Sequence, residues 1–181
     1  MKLSRLFRGK ADRKSRARQL FDAVTAQSRR PDLYLSDGIS DSFEGRFEAI
    51  TLHSALLMRR LRQITPDGKP LYDQYGEIVF SSFDHAYREI GTGDLLVGKK
   101  MRKLGESYIG RIKAYDDALE QSVGTLEDVL NRNLFEGRSG VNEAGMAEYI
   151  RHADECLAKQ TDESLLRGQI DWPEPSEFLT S

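Results

Sequence analysis

Residues 41–63 read DSFEGRFEAITLHSALLMRRLRQ, and this stretch decides the fold. At about 100° per residue, Phe43, Phe47, Ile50, Leu57 and Leu61 fall on one stripe of a helix, and Leu52 and Leu56 widen it. The segment is expected to be a central core helix. Asp41 can cap its free amides, and Glu44 adds favourable charge at the positive helix end. Pro66, Gly68 and Pro70 form the turn that follows.

The flanking sequence keeps the same period. Upstream, a helix over about Ser15–Arg29 buries Leu20, Phe21 and Val24 and stops at Pro31. Downstream, a helix over about Leu71–Ile90 carries Tyr75, Ile78, Val79, Phe83 and Tyr87. The glycines of Gly91–Gly93 break it, and Asp94 caps a fourth helix running to about Gln121. Val97, Met101, Leu104, Tyr108, Ile112, Tyr115 and Leu119 share a face of that helix. Shorter helices are expected near Leu126–Phe135 and Asn142–Lys159. Alternating strand patterns are absent, so the chain reads as all-α: a single helical bundle of about six helices with no sheet. Residues 1–18 form a basic N-terminal arm, 19–160 the helical domain, and 161–181 an acidic tail with Pro173 and Pro175, extended or disordered.

The 181 residues carry 27 Lys and Arg against 29 Asp and Glu, a formal charge of -2 that hides an asymmetry. Eight cations and Asp12 alone among acids lie in residues 1–18, so a head of +7 is joined to a body of -9. Within the head, Lys2, Leu3, Arg5, Leu6, Phe7, Arg8 and Lys10 mix apolar and cationic groups in a pattern suited to an anionic membrane surface; RNA would accept the same charges. The apolar run is too short for a signal peptide, and no segment has the roughly 18 apolar residues of a membrane span. The lone Cys156 forms no internal bridge, which fits a reducing compartment.

Few motifs carry chemistry. Gly93–Lys99 matches the first seven positions of a phosphate-binding loop, but Lys100 stands where Ser or Thr should bind magnesium, and a helix precedes it where a strand is required. His53, His85 and His152 are too scattered for a metal site, and no cofactor is expected. Nucleophile elbows, dinucleotide fingerprints and zinc-hydrolase helices are missing, so the expected protein is not an enzyme. Two polar features stand out instead. Arg46, His53 and Arg60 recur every seven residues beside the core stripe, where they either tie helices together or face a partner. Lys99, Lys100, Arg102 and Lys103 crowd the first turns of the fourth helix, against its dipole, and call for a compensating anion: an internal acid, a partner's acidic surface, RNA or lipid phosphate. Arg111 lies at the edge of that helix's apolar stripe, where a salt bridge is expected.

Two blocks resemble a known family. The first is Ser28-Arg-Arg-Pro-Asp-Leu-Tyr34, then Gly38 to Glu48 and Leu52-His53; the second is Phe83-Asp84, then Arg88 to Leu95, Val97 to Lys100, Tyr108 to Arg111 and Ala114 to Asp116. Their order and spacing are similar to the ubiquinol-cytochrome c chaperones, assembly factors of respiratory complex III, and the chain resembles a short bacterial member. The resemblance implies a non-enzymatic chaperone that acts on newly made cytochrome b or a complex III assembly intermediate, beside a small partner protein and the ribosome. It also implies a cytoplasmic protein peripheral to the bacterial inner membrane. The expected partner-binding residues are Arg46, His53, Asp84, Arg88, Gly91, Gly93, Asp94, Lys99, Lys100 and Arg111. Two alternatives stand beside it: a membrane- or RNA-binding adaptor using the basic head, and a lipid or quinone carrier using the aromatics of the third and fourth helices.

Overall fold

The computed structural model describes residues 2–89, 94–120 and 124–179. Among them α1 spans Lys2–Gln27, α2 Phe43–Gln63, α3 Gly68–Glu89 and α4 Asp94–Leu119. They are followed by α5 Leu126–Asn133, α6 Glu143–Lys159 and α7 Asp162–Leu166. Short 3-10 turns lie at Pro31–Tyr34 and Pro175–Glu177, and the described residues contain no strand. The all-α bundle expected from the periodicity is present.

α2 is the axle: from Phe47 to Leu61 every residue but Ile50 and Arg59 is buried, so the helix is enclosed on all faces. On one side Ala49, Leu52 and Leu56 pack with Tyr115 of α4 and with α5 and α6. On the other, Phe47, Leu57 and Leu61 pack with α1, α3 and Tyr108 of α4. Each fully buried leucine contributes about 1.5–3 kcal/mol to this arrangement. The cap of α2 is Ser42, whose Oγ accepts from the Gly45 amide at 3.0 Å; Asp41, expected in that role, instead pairs with Arg46 at 2.7 Å. Gly45 is required here, since a Cβ would lie 1.9 Å from the Ser40 carbonyl oxygen.

Both ends of the chain differ from expectation. The helix expected from Ser15 begins at Lys2, so the basic segment is helical backbone continuous with the buried Ala17, Leu20 and Val24. Lys, Arg, Leu and Ala are strong helix formers, which favours propagation outward from the anchored half. The side chains of Lys2, Leu3, Arg5, Leu6, Phe7, Arg8 and Lys10 lie outside the described residues. At the other end, the tail expected to be extended or disordered contains α7, capped by Thr161, and Leu165 and Leu179 are buried. Trp172 packs on both halves of the core. Arg16 Nη1 donates to the Leu166 carbonyl at 3.1 Å and Gln27 Nε2 to that of Pro173 at 2.8 Å, so α1 holds the tail down.

Candidate functional site

The start of α2, the end of α3 and the middle of α4 line an open cleft of about 590 Å³. Its aromatic wall begins with Phe43, the first residue after the Ser42 cap, where the helix has left the loop but not yet entered the core; it is 43% exposed. The Phe43 and Tyr87 rings lie 5.6 Å apart, and Phe47 packs behind them on Phe83 at 5.3 Å. The opposite wall is cationic. Lys100 Nζ stands 5.4 Å above the Tyr87 ring, within cation–π range, and Lys103 and Arg111 follow along α4.

At the floor, Arg111 Nε donates to Glu48 Oε1, the salt bridge expected at the core margin. Glu48 is buried, and its second oxygen, Oε2, has no hydrogen-bond partner among the described residues. Burial raises its pKa to about 7 against the pull of Arg111, and Glu136 across the cleft pushes the same way. Burial also raises the Tyr115 phenol behind it, with a further push from Glu48. The cleft therefore joins an exposed aromatic surface, a row of cations and a carboxyl whose pKa is raised to about 7. Such a surface can seat an apolar side chain and pair acidic groups around it.

The expected partner-binding residues divide. Lys100 and Arg111 line the cleft, and Lys99 is exposed one residue away on α4. Asp84 and Arg88 bond to each other at 2.8 Å near the exposed end of α3. Arg46 lines a separate depression with Tyr34 and Arg29. Gly91 and Gly93 lie outside the described residues; Asp94 opens α4, but its side chain is not described.

His53 must be reassigned, because it is fully buried and so cannot form a contact surface. Its Nδ1 donates to the Ala49 carbonyl at 2.7 Å, which leaves Nε2 to accept from the Tyr149 hydroxyl at 2.8 Å. Gln27 Nε2 in turn donates to that hydroxyl at 2.8 Å, and Trp172 stands edge-on 5.3 Å from the imidazole. Burial lowers the His53 pKa to about 4, so the ring is neutral and ties α1, α2, α6 and the tail. Arg60 likewise turns inward, donating to the carbonyls of Leu157 and Gln160 at 3.0 Å each. Of the seven-residue seam, only Arg46 reaches the surface.

Sequence reasoning missed Phe43 and Tyr87 as cleft residues, because their periodicity places them among core positions, and it did not single out Glu48 as one. The signal for Phe43 was its place directly after Ser42, at a helix start that lacks a preceding turn to cover it. Among the described residues, no group of His, Cys, Asp and Glu is placed to hold a metal, and no helix is long and apolar enough to cross a membrane.

Comparison with curated proteins yields no match. The crystal structure of the Cbp3 homolog from Brucella abortus is similar, with 26% identity and a TM-score of 0.84 over 98% of this chain and 99% of that one. The family described as ubiquinol-cytochrome C chaperone matches residues 37–172, an interval that begins before α2, contains every residue of the cleft and ends on Trp172. With three quarters of its length matched, the chain belongs to the ubiquinol-cytochrome c chaperone family.

Proposed function

We propose that the protein is a non-catalytic assembly chaperone of respiratory complex III, which holds newly made cytochrome b, or an intermediate containing it, until assembly proceeds. The observation that carries this reading is the family match over residues 37–172, which encloses the aromatic and cationic cleft. In this reading an apolar client side chain sits on Phe43 and Tyr87 while Lys100 and Lys103 pair acidic client groups, and Lys99, Asp84 and Arg88 extend the contact. The basic start of α1 lies on the anionic cytoplasmic face of a bacterial inner membrane, where each cation near the lipid contributes about 1 kcal/mol. A small partner protein and the ribosome are further contacts of the same role.

The test is a deletion strain complemented with parent or Phe43→Ala/Lys100→Glu protein. Deletion lowers the haem b absorbance and complex III activity while other respiratory complexes persist, and the double variant does not restore them. Normal complex III in the deletion strain contradicts the reading. Charge reversal at Lys2, Arg5 and Arg8 tests the head: binding to anionic vesicles is lost, whereas unchanged vesicle binding, or binding only to RNA, removes its membrane role.

A further inference from the structure

A second concave surface lies on the other side of α4. α3 and α4 splay apart above α2 and leave an open groove of about 730 Å³, floored by Met58, Tyr72, Phe80, Tyr108 and Ile112. It is separate from the aromatic and cationic cleft, sharing no lining residue with it. The groove spans residues 72–80 of α3 and 108–116 of α4, about 12 Å of each helix at 1.5 Å per residue, which is two turns.

Three independent observations indicate what fits there. Ile109, on the α4 rim, is 64% exposed, the most exposed large apolar residue described. Gly76 sits in the middle of α3 on the groove wall, where glycine weakens a helix, yet a Cβ there would meet nothing within 4 Å. Internal packing therefore gives no reason for glycine, whereas an incoming backbone gains from it by close approach. Finally, the α3 rim is acidic. Asp73 and Glu77 stand one turn apart; among the described residues Asp73 pairs with Lys69 at 2.8 Å, an exposed contact that a partner can replace, and Glu77 accepts from Gln74 at 2.7 Å.

We infer that the α3–α4 groove is a docking site for an amphipathic helix of a partner protein, about two turns long at the contact, with basic residues flanking its apolar stripe on the side of Asp73 and Glu77. The partner's backbone passes over Gly76 and its apolar residues cover Ile109 and Phe80. The site acts independently of the cleft.

The test uses full-length protein and two labelled helical peptides of about 14 residues, each with leucines at i, i+3, i+4 and i+7 spacing, flanked by lysine in one and glutamate in the other. Fluorescence anisotropy is expected to show the lysine peptide binding at least about tenfold more tightly than the glutamate peptide. Asp73→Lys/Glu77→Lys reverses that preference. Gly76→Leu fills the groove and abolishes binding without lowering Tm, and Ile109→Lys, at an exposed position that leaves the core untouched, weakens it at least about tenfold. Equal binding of the two peptides, or binding that survives both Gly76→Leu and Ile109→Lys, overturns the inference. So does a groove that takes a fluorescent fatty acid but neither peptide, which makes it a lipid site. Concentration-dependent dimerisation lost in Gly76→Leu also overturns it, because the occupant is then a second copy of this chain.

Discussion

Arg111 on α4 donates to one oxygen of the Glu48 carboxyl on α2, and the other oxygen is enclosed without a partner among the described residues. One contact does not repay the burial of the charge, so the folded protein favours the protonated acid. On the far side of α2, His53 is held neutral by burial. The two groups oppose one another in their effect on stability against pH, and this can be separated by substitution.

For Glu48 the folded pKa is raised from 4.5 to about 7. Between these values the folded state binds the proton more tightly, so acidification from pH 7 to 4.5 stabilises the protein by up to about 3 kcal/mol. Urea unfolding of Glu48→Gln at a series of pH values is expected to lack this gain.

For His53 the folded pKa is lowered from 6.5 to about 4. The unfolded state binds the proton more tightly, so its stabilising contribution is complete above pH 6.5 and falls by about 3 kcal/mol as the pH drops to 4. His53→Gln abolishes that decline. In the parent the two contributions oppose one another over much of pH 4.5–6.5, and the two substitutions tilt the profile in opposite senses.

Arg59 sits where α2, α4 and α6 meet, donating to Asp116 at 2.6 Å and to Glu120 at 2.9 Å, with Asp154 at 3.4 Å. Its side chain is 13% exposed. Removing the cation leaves Asp154 beside Asp116, which keeps its pair with Arg62 at 2.5 Å, and burial already raises the pKa of Asp154. Arg59→Met is expected to cost about 3 kcal/mol in chemical denaturation, with a larger loss at pH 8 than at pH 5.

Trp172 binds the tail to both halves of the core and meets the His53 ring edge-on. Trp172→Ala is expected to cost about 3–5 kcal/mol and to speed hydrogen exchange at residues 165–179 first.

The helical period carried most of the fold. Leu57, Leu61, Tyr108 and Tyr115 are buried on the faces their spacing indicates. The tail is hard to read in sequence because Pro173 and Pro175 suggest disorder, while its apolar residues, Leu165, Trp172 and Leu179, pack against elements far away along the chain. The site was half legible. Charge crowding on α4 marked Lys100, and the stripe edge marked Arg111. His53 and Arg60 share the seven-residue spacing of Arg46, but the tail and α6 cover them, and contacts about 100 residues distant leave no trace in local periodicity. Phe43 is the opposite case, apolar in pattern yet 43% exposed at the first turn of α2.

The most direct measurement places a photo-crosslinking phenylalanine analogue at Phe43 in the living cell and, as control, at the exposed Lys69 on the far end of α3. The cleft is predicted to yield cytochrome b as the dominant adduct at position 43 and none at position 69. No cytochrome b adduct at 43, or equal adducts at both positions, would contradict client binding in the cleft.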